Sequence, residues 1–305
     1  MRQKIIIAGG SGFLGRSLTP VLLSRGYDVV ILGRGAPHRA GSVEHMQWDG
    51  KTLGPWAAAL DGAKAVVNLT GRTVNCRYTP ANRREILDSR VDSVRVLGEA
   101  ISLCATPPEL FVQSSSLAIY GDAGERWCDE DAPHGRGFSV EVCERWEEAF
   151  SKVNATGMRK SVLRIGFAIG RGGGIIDFLA RLTRWFLGGH VGNGRQFISW
   201  IHVSDLNRMF MQCIEDAETS GAYNATSPDP VTNAEFMREF RRVLRRPWSP
   251  PVPAPFAHLG AWLMGTEASL ALTGRRCTPR RFLQHGFTFE FPNLRNALAD
   301  IYPRA

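Results

Sequence analysis

The amino-acid sequence predicts an α/β fold: a doubly wound parallel sheet with a smaller C-terminal lobe. The first observation is a strand–turn–helix unit, in which the β-branched run 4–8 leads into a glycine-rich turn and an amphipathic stretch that ends at Gly26. The second is the alternation of apolar runs with helical patterns along the first half of the chain. Such alternation indicates parallel strands covered by helices on both faces, and right-handed crossovers wind them doubly.

The remaining elements of the sheet follow from the same patterns. Apolar runs predict further strands at 28–32, 65–69, 110–114 and 161–165. Helical patterns predict helices at 83–103 and 140–153. Pro20 lies inside the first helix, where its missing N–H group predicts a kink.

Beyond residue 165 the sequence changes to glycine-rich loops that flank an apolar helix. Strands are predicted at 200–203, rejoining the sheet, and at 222–225. Five prolines between Pro247 and Pro255 mark a connector into a C-terminal helical segment. We therefore divide the chain into a sheet domain (1–165 and 198–227) and a smaller substrate and C-terminal lobe (166–197 and 228–305).

Composition excludes several classes of protein. Of the 305 residues, 44% are hydrophobic and 22% are charged, which is ordinary for a globular chain. No apolar run approaches the roughly 20 residues of a membrane-spanning helix, and the N-terminal stretch is too short for a signal peptide. Six scattered cysteines without a C-x-x-C pair predict free thiols and no metal site. We therefore expect a cytoplasmic protein without a membrane partner.

The net charge of +8 raises the question of nucleic-acid binding. The densest basic cluster is Arg275, Arg276, Arg280 and Arg281, and no aromatic residues are interleaved with it in a recognisable binding module. A solvated or interdomain surface explains this cluster better than a nucleic-acid contact does. The expected partner is a small-molecule substrate, and the sequence leaves the oligomeric state open.

The glycine-rich turn is the strongest functional motif. Gly9, Gly12 and Gly15 lie between a predicted strand and a predicted helix, as in a dinucleotide-binding Rossmann unit. The first glycine permits the tight turn, the second lets the backbone approach the pyrophosphate, and the third lets helix and strand pack closely. Free N–H groups at the helix start then face the phosphates. The predicted binding residues are Gly9, Gly10, Ser11, Gly12, Phe13, Leu14 and Gly15.

The end of the second strand indicates which dinucleotide binds. NAD-binding units usually carry an acidic residue there, whereas this chain has Arg34. A guanidinium can pair with a 2′-phosphate and stack on adenine, and His38 and Arg39 add positive charge nearby. The predicted cofactor is therefore NADP.

Together, the glycine turn, Asn68-Leu-Thr-Gly71 and Ser114-Ser-Ser-Leu-Ala-Ile-Tyr-Gly121 make the chain resemble the extended short-chain dehydrogenase/reductase superfamily. More narrowly, it resembles the atypical branch of epimerase-family proteins, whose members carry a C-terminal segment of unknown function. Further matching segments are 76–79, 89–91, 120–122, 146–147, 192–196, 199–203, 223–226, 230–235 and 279–287.

The resemblance implies roles for particular residues. Ser116 matches the serine that hydrogen-bonds the reacting carbonyl or hydroxyl. The cofactor-lining positions it implies are Trp48, Asp49, Asn68, Leu69, Thr70, Gly71, Ser114, Ile165, Gly166 and Phe167. Residues expected to reach the substrate pocket are Arg77, Tyr78, Arg195, Trp200 and His202, although His202 is more typical of a structural position.

One feature departs from the superfamily pattern. Conventional members carry Tyr-x-x-x-Lys on the helix after the serine strand, with the tyrosine transferring the proton and the lysine lowering its pKa and holding the ribose. Here Ser139 and Cys143 take those positions, and an alignment shifted by one gives Phe138 and Val142. Neither restores the pair. Ser116 and Tyr120 are the leading catalytic candidates in its absence.

These observations favour an NADP-dependent oxidoreductase acting on a small or medium carbonyl, imine or alkene compound. A non-catalytic NADP-binding redox sensor or scaffold is the alternative, which the missing pair favours. A sugar-nucleotide epimerase is third. In such epimerases an arginine commonly binds the diphosphate, but Ile198 takes its position here and Arg195 is offset from it.

Overall fold

The computed structural model describes residues 2–303 and has an eight-stranded sheet at its centre. In that part of the chain the strands are β1 (Lys4–Ala8), β2 (Asp28–Gly33), β3 (His38–Ala40), β4 (Val43–Gln47), β5 (Ala65–Asn68), β6 (Leu110–Ser116), β7 (Trp127–Cys128), β8 (Arg159–Ile165), β9 (Phe167–Ile169), β10 (Phe197–Ile198), β11 (Trp200–His202), β12 (Gly221–Ala225), β13 (Val231–Thr232) and β14 (Arg276–Cys277). The α-helices are α1 (Phe13–Ser24), α2 (Pro80–Ser102), α3 (Phe138–Ser151), α4 (Ile176–Arg184), α5 (Val203–Glu215), α6 (Asn233–Val243), α7 (Ala254–Leu263), α8 (Ser269–Leu272), α9 (Arg280–Gln284) and α10 (Leu294–Ile301). Short 3₁₀ helices cover Pro55–Leu60 and Leu117–Tyr120.

The strand order of the main sheet is β12-β8-β6-β5-β1-β2-β4-β3. Every pairing in it is parallel except that of the edge strand β3 with β4, which confirms the predicted α/β fold. The chain order reverses at β1, which lies between β2 and β5. In doubly wound sheets ligands bind at such a reversal, outside the carboxyl ends of the strands. The glycine turn after β1 lies at this edge.

Apolar side chains cover both faces of the sheet, and successive residues of β1 lie on opposite faces. Ile5 and Ile7 of β1 belong to one buried cluster, with α1 and α5, whereas Ile6 and Ala8 belong to a second, with α2 and α3. Because successive strand side chains point to opposite faces, a strand buried on both faces has to be apolar throughout.

Two local expectations are corrected by the structure. The predicted strand at 200–203 does not rejoin the main sheet, because β11 pairs with β9 in a separate two-stranded unit. The second helix begins at Pro80 rather than at residue 83. Proline fits the first turn of a helix, and the Thr79 hydroxyl accepts a hydrogen bond from the Asn82 N–H at 3.2 Å. As expected, Pro20 lies within a helix, α1.

The C-terminal region has a buried cluster of its own, built from α4, α6 and α10 with Trp200. Two contacts link it to the rest of the fold. Strand β14 pairs with β7 in a separate two-stranded parallel unit, and α9 packs on β12 at the edge of the main sheet. Over residues 2–303, no helix combines the length and the apolar character needed to cross a membrane.

A buried ion pair connects the sheet to α3. Arg164 of β8 donates from Nε and Nη2 to the two carboxylate oxygens of Glu147, at 3.1 and 2.9 Å. The same guanidinium donates to the Tyr120 hydroxyl at 2.9 Å, and Glu147 also accepts from the Ser115 hydroxyl at 2.6 Å. Both charged side chains are largely buried, at 7% and 16% exposure.

Glu147→Ala should therefore destabilise the protein by about 3–5 kcal/mol, because it leaves the Arg164 charge buried without its partner. Glu141 on the same helix forms an exposed pair with Arg145 and provides the matched control. Glu141→Ala should cost no more than about 0.5 kcal/mol. Urea denaturation measures the free energy of unfolding of both variants. Equal losses would show that the buried pair contributes no more to stability than the exposed pair does.

Candidate functional site

The glycine turn forms a cradle at the N-terminus of α1. Gly9 has a φ of +74°, and a Cβ there would lie 3.0 Å from the Thr70 hydroxyl oxygen. A Cβ at Gly15 would overlap the backbone of Gly10, so strand and helix can approach only with glycine at that position. A Cβ at Gly12 would meet only the Gly9 carbonyl oxygen, at 3.5 Å. The protein's own packing therefore does not require glycine at position 12.

The helix start is open to an anion. Gly12 is the N-cap of α1, and no side chain caps the first turn. Ser11 and Gly12 are exposed, whereas Leu14 packs against the first core cluster and Phe13 lies against Gly173. Unpaired N–H groups at a helix start bind phosphate readily. The cradle therefore fits the pyrophosphate of a dinucleotide.

The segment after β5 faces the glycine turn, as its predicted role requires. The Asn68 side chain is fully buried and donates to Gln113 at 3.0 Å, while its oxygen accepts from the Thr70 N–H at 3.0 Å. The Ser114 hydroxyl donates to the Asn68 carbonyl at 2.7 Å. The side chains of Asn68 and Ser114 therefore hold the segment in place. The Thr70 hydroxyl is buried next to Gly9 and has no hydrogen-bond partner among residues 2–303.

Trp48 and Asp49 follow β4 next to this segment. Trp48 is buried against Trp56, with ring centroids 5.4 Å apart, and within the described residues its indole N–H has no partner. The Asp49 carboxylate accepts from the Lys51 and Thr52 N–H groups at 2.8 and 2.9 Å. These hydrogen bonds lower the pKa of Asp49 and hold the turn. Asp49 thus has a local structural role.

Arg34 follows the end of β2 and is exposed. Its guanidinium makes no hydrogen bond or ion pair with the described part of the chain. Nearby, the His38 and His45 rings stack at 4.0 Å. Burial and His38 lower the pKa of His45. A 2′-phosphate bound after β2 would therefore meet the guanidinium of Arg34, which has no other partner in the described chain.

A cavity of about 800 Å³ lies between the carboxyl end of the sheet and the C-terminal helices. The predicted residues Ser116, Ile165, Gly166 and Phe167 come together on its wall. Most of the rest of its lining is apolar, and α4, α6, α7 and α8 all contribute to it. Representative side chains are Phe178, Leu182, Phe236, Met237, Phe256 and Met264.

Few charges reach this cavity. Within residues 2–303, Glu267 and Arg275 are the charged residues that line it. Arg275 is fixed through its backbone: its N–H donates to the Phe197 carbonyl at 3.0 Å and its carbonyl accepts from the Ser199 hydroxyl at 2.8 Å. Its Nε is buried, without a partner in the described chain. The sequence predicts only that Arg275 belongs to a basic cluster on a solvated or interdomain surface. It does not predict that Arg275 lines the cavity, because no local motif indicates this position.

The structure corrects the catalytic assignment of Tyr120. Its side chain is fully buried, its hydroxyl donates to Asn224 at 2.8 Å and accepts from Arg164, and burial raises its pKa to about 12. A phenol with both hydrogen-bonding roles occupied inside the core is structural. Ser116 remains at the cavity wall, where its hydroxyl oxygen accepts from the Ala118 N–H at 3.1 Å.

None of the five residues expected to reach the substrate pocket lines the cavity. Trp200 is fully buried and donates to the Asp229 carbonyl at 2.8 Å. His202 is buried, caps α5 by accepting from the Ser204 N–H, and has its pKa lowered by burial. Arg195 is exposed and pairs with Glu125 at 2.8 Å.

Arg77 and Tyr78 lie close to the C-terminal region. Arg77 donates to the Trp262 carbonyl at 2.6 Å and lies over the Trp262 ring, so it fastens the loop before α2 to α7. Tyr78 packs edge-on against Phe138, with centroids 5.0 Å apart. The positions of the missing pair are on α3 beside it. Cys143 there is buried, which raises its pKa to about 12 and keeps it a neutral thiol.

Alanine substitutions at Gly12 and Gly15 should separate an effect on NADPH binding from an effect on stability. Gly12→Ala should change stability by no more than about 1 kcal/mol but weaken NADPH on the order of tenfold, because the methyl group points at the open cradle. Gly15→Ala should cost about 1–3 kcal/mol through its overlap with Gly10. Thermal unfolding and NADPH fluorescence titration measure the two effects. Unchanged NADPH affinity in the Gly12 variant would rule out the cradle as the phosphate site.

Comparison with known proteins agrees with this geometry. The NAD dependent epimerase/dehydratase family matches residues 5–226, and a domain of unknown function, DUF1731, matches residues 252–301. Epimerase family protein SDR39U1 from Bos taurus is 32% identical over 98% of this chain and 99% of its own length. Epimerase family protein YfhF from Bacillus subtilis is 31% identical over 98% of both chains.

A solved structure extends the likeness to the fold. The crystal structure of human epimerase family protein SDR39U1 (isoform 2) with NADPH has a TM-score of 0.89 and 30% identity, covering 99% of this chain and all of that one. The resemblance inferred from the motifs is thereby confirmed. The chain belongs to the NAD dependent epimerase/dehydratase family, in the branch of epimerase family proteins that carry a C-terminal DUF1731 segment.

Proposed function

We propose that this protein is an NADP-dependent oxidoreductase that acts on a carbonyl compound, or a related imine or alkene, with an apolar body. The observation that carries the proposal is the apolar cavity whose wall includes Ser116 and Ile165–Phe167. It joins the end of the sheet where the glycine cradle lies to the C-terminal helices. A site of this kind has room for a substrate next to a bound dinucleotide and excludes water from it.

Two observations support NADP as the cofactor. Arg34 offers an uncommitted guanidinium after β2, where an acidic residue would repel a 2′-phosphate. The similar human protein has been crystallised with NADPH. When bound, such a nicotinamide supplies or accepts a hydride. The chain's own part is to hold the phosphates at Gly9–Gly15, to orient a carbonyl through the Ser116 hydroxyl, and to keep the cavity dry.

The lining of the cavity favours an apolar substrate over a sugar nucleotide. A diphosphate bound in a closed site needs several cations or N–H donors, whereas the described lining offers one guanidinium, that of Arg275. Arg195, the other arginine considered for a diphosphate, is paired with Glu125 outside the cavity. A single polar or anionic head beside Arg275, with an apolar body along α4, α6 and α7, fits better.

A non-catalytic redox sensor is the second candidate, and one observation favours it. Helix α3 carries Ser139 and a neutral, buried Cys143 where conventional members carry their catalytic pair. A sensor needs cofactor binding but no proton donor. We also propose a cytoplasmic location, which the free thiols of all six cysteines support because reducing compartments maintain them.

The cofactor preference can be tested at Arg34. Arg34→Ala should raise the dissociation constant of NADPH on the order of tenfold and leave that of NADH unchanged, because only NADPH carries the 2′-phosphate. Arg145→Ala provides a matched control, since Arg145 is an exposed arginine on α3 that pairs with Glu141. Equal affinities of the wild type for NADPH and NADH would remove the argument for NADP.

The substrate class can be tested with straight-chain aldehydes from propanal to decanal, by following NADPH oxidation. Each added methylene that the cavity buries contributes about 0.8 kcal/mol, so kcat/KM should rise up to about fourfold per methylene. Filling the cavity with Ala261→Phe should abolish that slope, and Ser116→Ala should slow every aldehyde. Tight NADPH binding without any turnover across carbonyl, imine and alkene compounds would favour the sensor.

A further inference from the structure

The large hydrophobic side chains that the described chain exposes lie mostly in two segments, 175–187 and 248–270. Both segments border the apolar cavity. Five of these exposed side chains also line the cavity and form its rim: Ile175, Leu187, Phe256, Met264 and Leu270. Single exposed apolar residues are ordinary, but a contiguous apolar surface around a cavity indicates an interaction site.

Helix α7, on one side of the rim, is apolar all round. Ala257, Gly260 and Ala261 line the cavity, whereas Leu259 and Leu263 are exposed on the opposite side of the helix. The helix contains no Asp, Glu, Lys or Arg. A helix that is hydrophobic all round is normally buried, either in a protein core or in a membrane. The outer side of α7 is therefore suited to an apolar environment rather than to water.

On the other side of the rim, arginines gather at the end of α6. Five of them line one surface depression, and we call them the arginine cluster: Arg238, Arg241, Arg242, Arg245 and Arg246. Within residues 2–303, Glu239 is the one carboxylate that forms ion pairs with the cluster, and it also pairs with Arg295. Burial and the charge of Arg238 lower the pKa of Arg241. The cluster therefore has an excess of positive charge and is complementary to an anionic surface.

Direct contacts connect the arginine cluster to the rim. The Arg246 guanidinium lies over the exposed Phe186 ring, 5.2 Å from its centroid. Arg241 donates to the Gly188 carbonyl at 2.8 Å. Leu187, which belongs to the rim, lies between these two contacted residues. The cations, the exposed aromatic ring and the mouth of the cavity thus form one continuous surface.

We propose that this surface, made of the arginine cluster, the cavity rim and the outer side of α7, binds an anionic phospholipid bilayer. The arginines contact the lipid headgroups, and the apolar side chains enter the boundary with the acyl chains. Tryptophan is typical of that depth, and Trp185 and Trp248 are exposed next to Phe186 and to Pro247 of the depression. The mouth of the cavity then faces the lipid. The sequence predicts no membrane partner because it has no spanning segment, but adsorption to a bilayer surface requires none.

The composition of the surface favours a bilayer over other anionic or apolar partners. Nucleic acids stack on aromatic rings and pair with arginines, but the aliphatic side chains of Leu187, Leu259 and Leu263 add little to such binding. In a symmetric dimer the same surface meets itself, which brings the two arginine clusters to one interface, where their like charges repel. An anionic bilayer satisfies both the cations and the aliphatic side chains.

Cosedimentation with vesicles tests the proposal. The full-length protein should bind vesicles of an equal mixture of phosphatidylcholine and phosphatidylserine, and bind phosphatidylcholine alone much more weakly. Raising the salt concentration from about 0.1 M to about 1 M should weaken binding, because the Debye length falls from about 10 Å to about 3 Å. Arg238→Gln combined with Arg245→Gln should weaken it about fivefold for each charge removed. Both side chains are exposed.

Two leucines provide a matched pair for the apolar part of the surface. Leu263 and Leu103 are both 70% exposed, but Leu103 ends α2 at the end remote from α7. Leu263→Ser should weaken vesicle binding about tenfold, because a buried leucine side chain is lost from the contact. Leu103→Ser should leave vesicle binding unchanged.

Three results would overturn the proposal. Equal binding to neutral and anionic vesicles would remove the role of the arginine cluster. Losses in the arginine variant without a loss in Leu263→Ser would indicate a soluble polyanion such as RNA. Self-association without vesicles that Leu263→Ser abolishes would identify a second copy of the chain as the partner. The NADPH affinity of each variant, measured in parallel, should equal that of the wild type, so the outcome is independent of the proposed function.

Discussion

The buried pair of Arg164 and Glu147 fixes the relation between the sheet and helix α3. Its two hydrogen bonds hold α3 on β8, and the third, to Tyr120, extends the network to the 3₁₀ turn after β6. From there Asn224 of β12 reaches the Thr278 carbonyl at 3.0 Å, next to β14. Buried charges are stable when their hydrogen bonds are complete, so this network links α3 to the C-terminal segment that carries Arg275.

The candidate site has two parts with different chemistry, the glycine cradle and the apolar cavity. The glycine cradle is made of backbone and is open, as the binding of a phosphate requires. The cavity behind Ser116 is made of side chains from both lobes and is almost without charge. The C-terminal segment, matched as a domain of unknown function, contributes α7, α8 and Arg275 to this wall, and α4 and α6 also line it. In the proposed function, the cofactor binds to the sheet domain, and the C-terminal helices that pack against it select the substrate.

Local patterns were sufficient to predict the parallel sheet and the glycine turn between β1 and α1, because Gly9, Gly12 and Gly15 act through spacing along a few residues. The predictions that were wrong depend on contacts between distant parts of the chain. Tyr120 bonds to Asn224, 104 residues away, and Arg77 reaches Trp262, 185 residues away. No periodicity encodes such partners. The strand at 200–203 pairs outside the main sheet for the same kind of reason, since apolar alternation does not specify a partner strand.

We propose that the cradle and the cavity form one site for NADP-dependent chemistry. A crystal structure of this protein with NADPH tests this proposal most directly. We expect the dihydronicotinamide ring to lie at the cavity mouth, between Ser116 and Gly166, with the 2′-phosphate against Arg34. A nicotinamide ring directed into solvent, with the cavity closed off from it, would contradict the proposal.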